Sequence, residues 1–279
     1  MTLYGMAETG RASRPRVVDG AGLFDYRRAG TMLYKRPNHF LVVLCQGDPM
    51  ATVPVEDQVK IPGNVATLTA FRHWSLSESF PKRGRIDWVG SQIEVDRSPE
   101  DLFTHGTLKT AIVASLWPLA RRKGYNLFTG ETRISSIVGN LSAEPDVVAV
   151  SDAAIDTDRV KLTPKAGGEA DRFVELEGGP ELVVEIVSDA SVGKDRRRLP
   201  PAYFAAGVTE FWLIDARGPE LEFVIHHRGE SGFVPVTVGA DGGQPSTVFS
   251  CGFRLIRGRN ARGRYFYDLI VVDAAPDQE

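Results

Sequence analysis

The run Leu182-Val183-Val184-Glu185-Ile186-Val187 constrains this chain more than any other segment. It is apolar throughout except at one position, without the alternation of a half-exposed strand, which is the pattern of a strand covered on both faces of a sheet. Such a strand needs neighbours on either side and layers above and below it. The exception is Glu185, a carboxylate where an unpaired charge is costly to bury. Pro145-Asp146-Val147-Val148-Ala149-Val150 has the same character, with Asp146 opening an apolar run. Two acids in two buried strands each require a cationic partner, a metal ion or a proton.

The elements around these strands predict a mixed α/β protein. Arg85-Ile86-Asp87-Trp88-Val89 and Gln92-Ile93-Glu94-Val95 flank Gly90-Ser91, a hairpin signal. Ser98-Pro99-Glu100-Asp101 predicts a helix start, with Ser98 as cap and Pro99 at the first helical position. Leu108, Ile112, Leu116 and Leu119 then give one apolar face at helical spacing. Pro118 is expected to kink the last turn and Gly124 to end the helix. Residues 125–134 read as one strand, 151–179 as a polar, Gly-rich loop insertion, and 211–214 as a further strand. A short helix around Tyr203 should begin near Leu199, because Pro200-Pro201 fits only a helix's first turn. Residues 221–227, 232–238 and 246–255 suggest an antiparallel meander. The domain reading is an N-terminal extension or small cap over 1–65, followed by one domain over 66–279. Within the extension, His39 to Leu44 could form a strand, and the first twenty residues are expected to fray.

Two acids converging from adjacent strands make an oxygen-rich site suited to Mg²⁺. A bound ion of that kind polarises a phosphoryl oxygen and lowers the pKa of a bound water. A nearby cation would orient that water or offset phosphate charge, and Lys194 is the nearest downstream lysine. The structural alternative is an ion pair, such as Glu185 with one of Arg196, Arg197 or Arg198.

Glu144-Pro145-Asp146-Val147-Val148, the Leu182–Val187 run with Ser188, and Tyr203-Phe204-Ala205-Ala206-Gly207-Val208-Thr209-Glu210-Phe211-Trp212-Leu213-Ile214-Asp215 together resemble the Uma-two (Uma2) family. This family is assigned to the PD-(D/E)xK nuclease superfamily, and the resemblance spans roughly residues 66–256. It implies a restriction-endonuclease-like core, a mixed β-sheet flanked by helices. It further implies a Mg²⁺ (or Mn²⁺) dependent endonuclease acting on DNA, with Asp146 and Glu185 as metal ligands. The superfamily lysine would fall two residues after Glu185, where Val187 stands. A position four residues before Tyr203, used by many relatives, holds Leu199. Lys194 is the preferred substitute, because an ammonium can tune its pKa and a guanidinium cannot, with Arg198 as the other candidate. His105 matches a position where the family often carries His, as a second-shell or substrate-contacting residue. Asp87 and Glu94 both lie near the family's upstream acidic position. The displaced lysine leaves open a catalytically inactive module of the same fold, binding nucleic acid or a protein partner.

A formal net charge of -3 argues against general, charge-driven nucleic-acid binding, though not against a local basic patch. Arg196-Arg197-Arg198 and the cluster Arg254, Arg257, Arg259, Arg262 and Arg264 are the candidates, against the reading of solvated faces. Cys45 and Cys251 form neither a disulfide framework nor a zinc spacing and read as buried thiols. His226-His227 has no ligand partner at suitable spacing and reads as a pair of packed or surface histidines. With no signal-peptide pattern and no apolar run of membrane-spanning length, the expected compartment is the cytoplasm, with no membrane partner. Cleavage of two strands would suit a homodimer.

Overall fold

The computed structural model describes residues 59–168 and 170–272, and the backbone of an upstream hairpin, β1 (Leu33–Arg36) antiparallel to β2 (His39–Val42). The strand expected near His39 is therefore present, whereas the expected fraying of the first twenty residues and the environment of Cys45 lie outside the described residues.

The central sheet has six strands in the order β14 (Phe233–Pro235), β13 (Glu222–Arg228), β12 (Glu210–Asp215), β11 (Leu182–Ile186), β8 (Val147–Ser151) and β5 (Tyr125–Thr129). Only β11 and β12 run parallel, so the sheet is mixed. All five residues of β11 are buried, as its unbroken apolar run requires. A second six-stranded sheet has the order β4 (Gln92–Asp96), β3 (Arg85–Val89), β7 (Leu141–Ala143), β6 (Arg133–Ser136), β10 (Phe173–Gly178) and β9 (Val160–Pro164). The expected hairpin is β3–β4, turning at Gly90 and Ser91, both with positive φ.

The helices cover these sheets. α2 (Thr107–Arg122) lays Leu108, Ile112, Leu116 and Leu119 on the face of the central sheet that carries Val147, Ala149, Val184 and Trp212. A three-stranded sheet, β15 (Gln244–Ser246), β16 (Cys251–Arg259) and β17 (Tyr265–Val272), closes that layer with Phe253 and Tyr267. On the opposite face, Val148, Val183 and Phe211 pack against α4 (Leu199–Ala206), α3 (Asp152–Asp156) and the second sheet, through Tyr203, Ala154, Val89 and Leu141. α1 (Leu68–Ser75) covers the far side of the second sheet with Phe71 and Trp74 against Ile86 and Trp88. No helix among the described residues is long and apolar enough to cross a membrane.

Three local expectations need correction. Ser98 does not cap the helix. Its N–H bonds back to Asp96 Oδ1 at 2.9 Å, and Asp101 caps instead, accepting from the Phe103 and Thr104 N–H groups at 2.9 and 2.7 Å. The first turn, Leu102–Gly106, is a wide π turn, and α2 then continues through Pro118. Residues 125–134 are not one strand, because Gly130, at φ 72°, turns the chain from β5 in one sheet to β6 in the other. Residues 151–179 are not a loop insertion but contain α3, β9 and β10. Glu175 made β10 look exposed, yet its carboxylate is buried against Arg72.

Candidate metal centre

Strand register sets the position of the two acids. β8 and β11 pair antiparallel, with Val148 opposite Val183 and Val147 opposite Val184. One step further brings Asp146 opposite Glu185, and the Asp146 N–H donates to Val184 O at 3.2 Å. Side chains alternate along a strand, so Asp146 lies on the face of Val148 and Glu185 on the face of Val183. Both of those valines face the second sheet and α4. The carboxylates thus enter one buried layer from neighbouring strands, at 0% and 1% exposure.

Asp146 is saturated with donors. Its Oδ1 meets Arg85 Nη2 at 3.0 Å and Lys109 Nζ at 3.1 Å. Its Oδ2 accepts from the Ile186 N–H at 2.8 Å and lies 3.3 Å from His105 Nε2. Burial alone would raise its pKa, but the His105 hydrogen bond and the charges of Arg85, His105 and Lys109 hold it below the usual carboxylate range. Glu100 lies outside this group, against both Lys109 and His105 Nδ1. The His105 contact is close but lacks hydrogen-bond alignment, and Nδ1 has no aligned partner.

Glu185 is the opposite case. Tyr203 on α4 donates its hydroxyl to Oε1, while Oε2 is buried with no partner. Burial and the neighbouring charges of Asp195 and Asp146 push this carboxyl well above its ordinary value. Lys194 is fully inside the protein and reaches Asp87 Oδ2 at 2.6 Å. Burial opposes its charge, yet Asp87 and other acids outweigh that, so the ammonium is held rather than released. Lys194 is therefore a fixed cation, and the idea that it was favoured for a tunable pKa does not describe it. It begins a π turn, Lys194–Arg198, that runs directly into α4.

The hairpin acids separate clearly. Asp87 and Glu94 are cross-strand partners, but Asp87 is buried, accepting from Lys194 and the Glu144 N–H, whereas Glu94 pairs at the rim with Arg198 at 2.5 Å. A small cavity of about 40 Å³, room for water, is lined there by Arg85, Asp87, Glu94, Ser191 and Lys194 among others. The alternative pairing of Glu185 with the triple arginine is not found. Arg196 binds Asp215 and Glu222, and Arg198 binds Glu94. In the C-terminal cluster, Arg254, Arg257 and Arg259 hold backbone carbonyls. His226 and His227 bond to Phe211 O and Pro245 O, as packed histidines do.

Arg85, Lys109, Glu100, Tyr203 and Asp195 belong to this cluster but were not read from the sequence as part of it. Among the described residues, Glu100, His105 and Asp146 bring ligand atoms within 4.8 Å of one another. From the strand paired with Asp146, Glu185 brings its unpartnered Oε2 into the same buried layer. Oxygen donors with one imidazole, including a buried oxygen without a hydrogen-bond partner, fit a divalent cation.

The family model Uma2, described as "Putative restriction endonuclease", matches residues 69–256. This chain belongs to the Uma2 family. The matched span contains every residue of the Uma2 centre just described. A crystal structure of "a putative nuclease belonging to DUF820" from Anabaena variabilis is similar at 20% identity and a TM-score of 0.42, covering 66% of this chain and 97% of that one. Comparison with curated proteins gives no match.

Proposed function

We propose that this protein is a divalent-metal-dependent endonuclease that hydrolyses DNA phosphodiester bonds. The observation that carries the reading is the shared buried layer of Asp146 and Glu185, with the buried Lys194 fixed on Asp87. Asp146 and Glu185 would hold Mg²⁺ or Mn²⁺, with His105 beside Asp146 as a further donor. Such an ion supplies Lewis acidity toward a phosphoryl oxygen and a more acidic bound water.

The chain's own groups divide the remaining work. Lys194, held protonated by Asp87, is suited to stabilising negative charge and not to accepting a proton. Arg85 and Lys109, at 23% and 18% side-chain exposure, form the solvent edge and are placed to meet phosphate oxygens. Residues 66–279 would carry this activity, with 1–65 as an extension, and a homodimer would present two such centres to a duplex.

One observation favours a second reading, a catalytically inactive module that binds nucleic acid or a protein partner. Both oxygens of Asp146 already have partners, in Arg85 and Lys109, the His105 imidazole and the Ile186 N–H, so it is satisfied without a metal. Supercoiled-plasmid nicking decides between them, with wild type, Glu185→Ala and Lys194→Ala assayed in Mg²⁺ and in Mn²⁺. Metal-dependent nicking by wild type, lost in both variants, is the expected result. A pure, folded wild type that nicks no DNA substrate in either metal would leave the inactive module standing.

A further inference from the structure

We propose that Asp195 is a further ligand of the cation centre, so that a hard divalent cation is held on one side by Glu185 and Asp195 together. This rests on reading the cluster as a cation centre, and adds a residue that lies outside the strands and the sequence runs quoted above.

Asp195 follows Lys194 on the π turn and is fully buried. Its position is fixed twice by Ser191. The Asp195 N–H donates to Ser191 O at 2.8 Å, and the Ser191 hydroxyl donates to Oδ2. Oδ1 has no partner. Among the described residues, only two carboxylate oxygens are buried without a hydrogen-bond partner, Asp195 Oδ1 and Glu185 Oε2. They are linked through one helical run, since Tyr203, eight residues after Asp195 where the π turn has continued into α4, donates its hydroxyl to Glu185 Oε1, and the charge of Asp195 acts on Glu185. Two buried carboxylates, each with an unused oxygen, are relieved by a positive charge placed between them. Lys194 is engaged with Asp87. The buried acids elsewhere show no such deficit. Glu175 and Glu210 have donors on both oxygens. An all-oxygen pair of this kind selects Mg²⁺ or Mn²⁺ over softer ions.

The test is a titration of the full chain with Mn²⁺, following free Mn²⁺ by electron paramagnetic resonance. The proteins are wild type, Asp195→Asn, Glu185→Gln and, as a surface control, Glu220→Gln. Wild type and the control should bind alike, and both site variants should bind about tenfold or more weakly. Asp195→Asn binding Mn²⁺ as tightly as wild type overturns the proposal and leaves the nuclease reading untouched, the two orphaned oxygens then sharing a proton. A wild type that binds no Mn²⁺ removes both. Weakened binding in Asp195→Asn beside a wild type that nicks no DNA supports this assignment while the nuclease reading falls. Should Asp195→Asn fail to fold, Ser191→Ala keeps the carboxylate but frees its orientation. A several-fold weakening is expected there, and unchanged affinity counts against the assignment.

Discussion

Two buried glutamates on neighbouring parallel strands, Glu185 on β11 and Glu210 on β12, have opposite fates. Glu210 sits at the start of its strand and faces the layer of α2. It accepts from Trp212 Nε1 and the Ser246 hydroxyl at 2.7 Å each, from the Thr247 N–H at 2.9 Å and from the Val248 N–H at 3.4 Å. Glu185 sits near the end of its strand on the other face, with one tyrosine hydroxyl and one bare oxygen. The same side chain in the same sheet is thus a cross-link in one place and holds a bare oxygen in the other. Burial of an acid alone does not mark a site. What marks it is burial without saturation, because a fold gains nothing from an orphaned carboxylate oxygen.

The comparison breaks or holds on a double substitution test. Glu185→Gln keeps size and hydrogen-bond capacity but removes the charge. Nicking should fall by about a thousandfold, on the order of 4 kcal/mol of transition-state stabilisation, while the urea midpoint of the metal-free protein stays level or rises. Glu210→Ala should do the reverse. It strands several buried donors at about 1–3 kcal/mol each, so unfolding should be easier by roughly 3 kcal/mol with per-molecule nicking retained. Equal loss of stability in both variants would mean that Glu185 is also a structural cross-link.

This contrast also shows what could be read in advance. The run around Glu185 and the Asp146 run are visible because an acid breaks an otherwise apolar pattern, whereas it is the register of β8 against β11 that places the two acids on one face. The helix face Leu108 to Leu119 is legible from its apolar spacing, and the hairpin of β3 and β4 from the Gly90-Ser91 turn. Arg85 and Lys109 were not, since an arginine on a hairpin and a lysine on a helix look like solvated residues until the sheets stack. Asp195 was hidden inside a charged string that resembles a loop, and only the π turn directs it inward. β9 and β10 were missed because Glu175 and Glu177 face Arg72, a partner more than 100 residues away. Sequence pattern reports the face of an element, whereas ion-pair partners are chosen by tertiary packing.

Within the centre the saturated and unsaturated carboxyls should respond to pH with opposite sign. Asp146 has a folded pKa below its unfolded value near 3.9, so its stabilisation is present above that value and is lost as pH falls. Asp195 is pushed up to about 6 by burial, against the pull of Lys194 and Ser191. In the window between about 4 and 6 the folded state therefore holds a proton that the unfolded chain has released, and stability declines as pH rises. Glu185, also raised, adds to the decline from about pH 4 upward. Metal-free Asp195→Asn should escape part of it, gaining about 2 kcal/mol over wild type between pH 4 and pH 7 in urea melts. A parallel pH profile for the two proteins would show that Asp195 is paired after all.

The smallest effect belongs to the rim. Arg198 reaches Glu94 at 2.5 Å, but the two side chains are 37% and 22% exposed, so solvent screens most of the attraction. Arg198→Ala should change stability by no more than about 0.5 kcal/mol. Its consequence should instead be felt by a polyanion. If Arg198 leaves Glu94 for a phosphate, DNA affinity in a metal-free binding assay falls several-fold, and the dependence of log affinity on log salt becomes shallower by about one ion. An unchanged salt slope would make Arg198 a surface counter-ion only. A stability loss near that of Glu210→Ala would instead extend the cross-linked class of charges to the edge of the centre, and leave Glu185 and Asp195 as the carboxylates that folding does not satisfy.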